Sequence, residues 1–350
     1  MDTNRGGAAT EEVQEEKVWH AGREDPMPIR ELPEAPASLH ILGPGMLLAA
    51  LGVGLGETYL WPRLVILFGP DIRWLFFIGV TLQAVVMLEM ARWATATGES
   101  IFFGASRLWR PIMWLFFAIA ILVYIWPGHV ALGAQAFESL TGITWYIPAV
   151  IGLILIGVII SFAKIVYNVV EMILTTLIGV LVIGSAIVAA LVGNLAFVWS
   201  TITGLFAFGY VPEGVLTGPR AATLFPLIVG ALAFAGPSGM QQMWYTLWLR
   251  DKGAGMGTYI PRIRGLTHLE EEESIPTRGF MFDTEDPENI RRWKGWRRWV
   301  HFDAWVLFWG ITMLTTIIYT VLAQSAVHRR KRLVVVEPRD HRAHCTHRDS

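Results

Sequence analysis

Gly52-Val53-Gly54-Leu55-Gly56-Glu57 interrupts an apolar run from 41 to 68, and Phe234-Ala235-Gly236-Pro237-Ser238-Gly239 interrupts another from 221 to 248. Each glycine costs a helix about 1 kcal/mol relative to alanine, and Pro237 removes an N–H and clashes with the preceding turn. Both stretches are expected to break the helices that their flanks favour. A break inside hydrocarbon exposes backbone N–H and C=O groups, which is tolerable only where they line a cavity or bind something.

The rest of the chain puts these breaks in a membrane. Its 350 residues are 53% apolar and 16% charged, with a mean hydropathy of +0.46, which excludes an ordinary soluble domain. A bilayer crossing needs about 20 apolar residues. Seven segments reach or approach that length, at 41–68, 72–94, 111–134, 146–163, 169–195, 221–248 and 301–325. The expected class is an all-α, multi-pass integral membrane protein with its first and sixth helices broken. Interrupted helices at corresponding places in two halves point to a secondary transporter built from inverted repeats.

Charge is gathered outside the spans, in an acidic segment at 1–39, a mixed loop at 249–300 and a basic tail at 327–350. The formal net charge of −1 gives no footprint for a nucleic-acid partner. Arg92, Arg107, Arg110, Lys164 and the basic residues of the 249–300 loop fall on one side of the spans, with Arg73 and Arg220 on the other. The positive-inside rule then places the N-terminus in the cytoplasm and the chain in an inner (plasma) membrane. Residues 1–39 carry no signal-peptide pattern, and their acidic, proline-containing composition predicts disorder. The single Cys345 excludes a disulfide framework or a cysteine-built metal cage within one chain.

Gly43-Pro44-Gly45 ahead of the first break, Leu88-Glu89-Met90-Ala91-Arg92 with Thr97-Gly98, Tyr167 to Glu171, and Gly230-Ala231 follow one another in an order and spacing that resembles the Nramp family of divalent-metal transporters. The resemblance runs from Gly43 to about Ala326. It implies a LeuT-like bundle of inverted repeats over 40–326, incomplete here at seven helices, with a divalent cation bound between broken helices one and six and protons as the coupling ion. The family's first-helix Asp-Pro-Gly-Asn falls on Gly54, Leu55, Gly56 and Glu57, and its sixth-helix Met-Pro-His falls on Phe234, Ala235 and Gly236. The side chains that hold metal in the family are therefore replaced, and the chain resembles a divergent branch.

On that alignment the metal site is expected from the carbonyls of Gly54 and Phe234 together with Glu57, the one acidic residue at either break. Carboxylate, carbonyl and water oxygens suit a hard cation such as Mg²⁺ or Mn²⁺, carried as substrate with no resident cofactor. Arg63, six residues on, offers the structural alternative of a plain ion pair for Glu57. Gly56, Ser238, Gln241 and Gln242 are further candidates, the last two by their amides, although glutamine also serves to join membrane helices. Gly236-Pro237-Ser238-Gly239 matches a serine-protease motif of membrane enzymes, but no histidine falls on a neighbouring span at the right depth, so the chain is read as no enzyme.

The run from Arg291 to Trp299 alternates basic and tryptophan residues, which suits anchoring on an anionic bilayer surface or a solvated lead into span seven. The tail from 327 holds four of the nine histidines and the run Arg329 to Arg332, which falls on the wrong side for the charge rule. A shift of reading frame near Val327, with three further helices lost, would explain both. Two other functions stay open at this point: transport of a small non-metal solute on the same fold, and a non-transporting membrane scaffold or receptor.

Overall fold

The computed structural model describes residues 17–22, 26–37, 43–54, 56–125, 128–237, 239–268 and 278–336. Cys345 and the tail histidines His341, His344 and His347 lie outside the described residues. The chain is mostly helical and is an all-α membrane protein by the length and apolarity of its helices. Both expected breaks are present. The first segment comprises α1 (Gly45–Gly52), a π-helical turn (Gly56–Leu60) and α2 (Trp61–Phe68). There follow α3 (Trp74–Thr97), α4 (Ile101–Leu108), α5 (Ile112–Tyr124), α6 (Gly128–Thr141), α7 (Tyr146–Ser161), α8 (Val166–Val192) and α9 (Leu195–Gly204). The second broken segment is α10 (Ala221–Ala233) and α11 (Met240–Lys252). Last come α12 (Pro287–Phe302), a π-helical stretch (Asp303–Gly310) and α13 (Ile311–Val336), which run on as one long helical element.

Three stretches are long and apolar enough to cross a bilayer: Pro70–Thr97, Val166–Val192 and Pro287–Arg329. They correspond to the second, fifth and seventh expected spans. The other four are assembled from shorter helices, because the glycine breaks divide spans one and six, span three is split into α5 and α6, and α7 stops at Ser161. Apolar composition alone does not separate one long helix from two short ones. The short helix α9 is an addition to the expected spans; Asn194 caps it by accepting a hydrogen bond from the Ala196 N–H at 2.9 Å.

The core forms around α3. Phe76, Val80, Ala84, Met87, Ala91 and Ala94 repeat every three or four residues and are buried against α11, the stretch from Asp303 to Gly310, and α12. Leu82, Val85 and Val86 on its other face are exposed, as are most of the large apolar side chains of α5, α7 and α8. An apolar helix exposed on one face and packed on the other is suited to lipid contact.

Two readings of the polar segments are corrected by the packing. The expectation of disorder over 1–39 does not extend to 17–22 and 26–37. Val18–Trp19 pairs antiparallel with Met27–Pro28, Met27 and Leu32 are fully buried, and the Trp296 indole donates to the Pro33 carbonyl at 2.9 Å. The acidic composition that suggested disorder instead complements α12: Arg291 pairs with Glu34 at 2.9 Å, and Arg292 with Glu31 at 2.5 Å. Trp296, Trp299 and Val300 in turn face the protein interior, so these tryptophans are core residues rather than a membrane belt, and Arg297 and Arg298 between them are left outside.

Buried Asn289 accepts the Leu32 N–H at 2.9 Å, joining the N-terminal segment to α12. Asn289→Ala leaves that buried donor unpaired, at a cost of about 1–3 kcal/mol. The expected result is faster proteolytic cleavage between Glu31 and Ala37, with the apolar helices still protected; equal cleavage of both forms would refute the role given to Asn289.

Candidate functional site between the two breaks

The breaks meet. Gly56 lies so close to the second break that a Cβ there would sit 1.9 Å from the Phe234 carbonyl oxygen, and a Cβ on Gly52 would touch Pro237 at 3.0 Å. Gly236 takes a φ of +80°, a conformation that a side chain would strain. Beside this crossing is a cavity of about 610 Å³, lined by Gly52, Gly54, Gly56, Phe234, Gly236 and Gln241, with Gly133 of α6 on its wall as well. Backbone at both breaks therefore lines a void, as the sequence pattern requires.

The predicted site residues divide between this cavity and its walls. Gly54, Gly56, Phe234 and Gln241 line it. The Gly54 carbonyl already accepts from the Thr58 N–H at 3.1 Å and the Thr58 hydroxyl at 2.5 Å, which uses both of its lone pairs. Gln242 turns away and donates its amide to the Gln83 carbonyl on α3 at 2.5 Å, the packing role available to a membrane glutamine. Gln83, which the sequence reading passes over, donates to the Ala235 carbonyl at 2.6 Å and so satisfies one of the groups freed by the break. Ser238 lies outside the described residues.

Glu57 is fully buried in the π-helical turn and faces α13, where its Oε2 accepts from the Thr315 hydroxyl at 2.5 Å. Its Oε1 has no hydrogen-bond partner among the described residues, and it lies 3.1 Å from where a Cβ on Gly52 would be. Glu57 is not among the residues that line the cavity; its Oε1 lies beside Gly52, which does line it. Arg63 is not its counter-charge. That guanidinium lies 3.2 Å from the Tyr59 hydroxyl, to which it donates, and 5.9 Å from the ring centroid.

Arg73, which the count of loop charges places outside the spans, is buried against the same helix that meets Glu57. It is 1% exposed and donates to the Thr316 carbonyl at 3.2 Å and the Thr320 hydroxyl at 2.5 Å. Thr312, Thr315, Thr316 and Thr320 are all fully buried on α13, and of their hydroxyls that of Thr315 meets the carboxylate and that of Thr320 the guanidinium. The sequence signal was there in Thr312, Thr315, Thr316 and Thr320, whose spacing puts four hydroxyls close together on a helix. Arg107, also counted as a loop charge, is buried in a bidentate pair with Glu99, which accepts from the Gly279 N–H as well.

A third buried polar centre ties both broken segments to the seventh. Asp303, fully buried in its π-helical stretch, accepts from the Gly45 N–H at 2.8 Å and the Tyr245 hydroxyl at 2.7 Å. A carboxylate at the first N–H groups of α1 meets the positive end of that helix. π-helical insertions concentrate at functional sites, and here both carry a buried acid. Lys252 at the end of α11 pairs with Glu171 of α8 nearby.

No family model matches the chain, and no curated protein or solved structure matches it. Among the described residues, no cluster of three or more histidine, cysteine, aspartate or glutamate side chains comes together. The residues that line the cavity offer carbonyl, hydroxyl and amide oxygens and no carboxylate.

Proposed function

We propose that the chain is a secondary transporter, Nramp-like in its broken-helix design, that carries a divalent cation such as Mg²⁺ or Mn²⁺ through the space between the two breaks, with protons as the coupling ion. The observation that supports this reading is the cavity where both interrupted helices cross, with the unpartnered Oε1 of Glu57 beside Gly52, one of its lining residues. Negative charge there favours a cation, and the Phe234 carbonyl with the Gln241 amide supplies oxygen donors of the kind hard cations take. A turn of the Glu57 side chain past Gly52 would bring the carboxylate to the ion. Buried Arg73, held on the same α13 that meets Glu57, would offset the negative charge until then.

Glu57→Gln keeps the shape and the Thr315 contact and removes the charge. It is expected to lower Mn²⁺ uptake into proteoliposomes at least about tenfold, the effect of a difference near 1.4 kcal/mol in binding. Unchanged uptake would refute the cation role of Glu57. A second reading, transport of a small organic solute, is favoured by the cavity's volume, which falls within the roughly 300–1,000 Å³ of small-molecule sites, and by its lining residues, none of which carries a carboxylate. Competition separates the two, since a solute carrier would be indifferent to added Mg²⁺ or Mn²⁺.

A further inference from the structure

A groove of about 530 Å³ runs between α3 and α4, away from the cavity described above. Its floor is apolar, formed by Val85, Val86 and Met90 of α3 and Ile101 and Leu108 of α4, and Ala21 with Gly22 of the N-terminal segment closes one edge. At its head it adjoins a smaller recess of about 120 Å³ with which it shares Val85, Glu89 and Arg92, and there α12 brings in Arg297 and His301. Arg92 and Arg297 are exposed, and Arg92 pairs with Glu89 at 2.8 Å, both side chains being about two-thirds open to solvent.

Length along the helix matches polarity along the groove. Arg92 and Val85 are seven residues apart, about 10 Å at helical rise. The cationic end therefore sits at the polar end of a membrane-length helix, and the apolar floor descends from it beside exposed Leu82, Val85 and Val86. Two arginines against one carboxylate leave the head net positive, and most of the remaining lining is apolar, with Trp93 and Arg107 also reaching the groove. We infer that this groove binds an anionic phospholipid, its phosphate held by Arg92 and Arg297 and one acyl chain lying along Val85, Val86 and Met90.

The inference stands apart from the transport reading and is tested without an uptake assay. The full chain, purified in a neutral detergent, is titrated with dioleoylphosphatidylglycerol or dioleoylphosphatidylcholine, and the thermal midpoint gives the apparent affinity for each. The anionic lipid is expected to bind at least about tenfold more tightly, as two basic groups near a lipid surface allow. Arg92→Gln with Arg297→Gln should remove that preference without moving the midpoint in the neutral lipid, and Glu89→Gln, which frees Arg92, should increase it. Equal affinities for the two lipids, or a preference that survives the double substitution, would overturn the inference. So would an equal shift from inorganic phosphate, which would assign the head to a soluble anion. Should the double variant fold poorly, Arg297→Gln and Glu89→Gln alone must still move the preference in opposite directions.

Discussion

Gly56→Ala is expected to lower the free energy of unfolding by about 3 kcal/mol, at the upper end of what overpacking usually costs. The added Cβ would fall 1.9 Å from the Phe234 carbonyl oxygen, and both partners are backbone held by the elements on either side, so no side-chain rotation relieves the contact. The two breaks would have to separate, and the cavity beside them would lose its shape. Gly54→Ala is the matched control, since its Cβ would meet only the Leu51 carbonyl at an ordinary 3.4 Å. Denaturant unfolding of the full chain in micelles compares the two. Equal midpoints would show that the breaks are not in the close register described.

Arg73→Met tests whether buried Arg73 compensates buried Glu57: a charge pair that loses one member leaves the other uncompensated, and the expected cost is about 3 kcal/mol. The substitution also deprives the Thr320 hydroxyl of its donor, while the Thr316 carbonyl keeps the Thr320 hydroxyl as one. Adding Glu57→Gln should recover about 1 kcal/mol or more, since the amide removes the stranded charge and can still bond Thr315. Arg63→Met, by contrast, loses only an exposed contact with Tyr59 and should change stability little. If the two single arginine variants behave alike, or if the Glu57 and Arg73 effects simply add, the electrostatic pairing is refuted. The double variant has a functional consequence as well: a bundle that regains stability but not Mn²⁺ uptake would separate the folding role of the pair from the substrate role of its carboxylate.

The membrane character of the chain, its helical class and the positions of both breaks are legible in the sequence because they are local. Apolar runs, three glycines in five residues and a proline between glycines act on the backbone where they stand, whatever packs against them. Four of the candidate residues, Gly54, Gly56, Phe234 and Gln241, fall on the cavity for the same reason: they belong to the breaks or directly follow them.

The direction of Glu57 and the fate of the arginines are not local properties. Glu57 meets Thr315 across 258 positions of sequence, and Arg73 meets Thr320 across 247. Arg63 is the nearer arginine along the chain, yet its helical position turns it outward to Tyr59. A loop count cannot distinguish an arginine at a helix end that points to water from one that turns inward to a column of hydroxyls, because burial is set by the element that arrives to cover it. The same holds for the tryptophans of α12, whose spacing suits a membrane surface and a protein core equally until Pro33 and its neighbours lie against them. Local propensity determined where this chain bends and that it is built for a bilayer; which charges are hidden, and what they face, was decided only when α13 and the N-terminal segment packed into place.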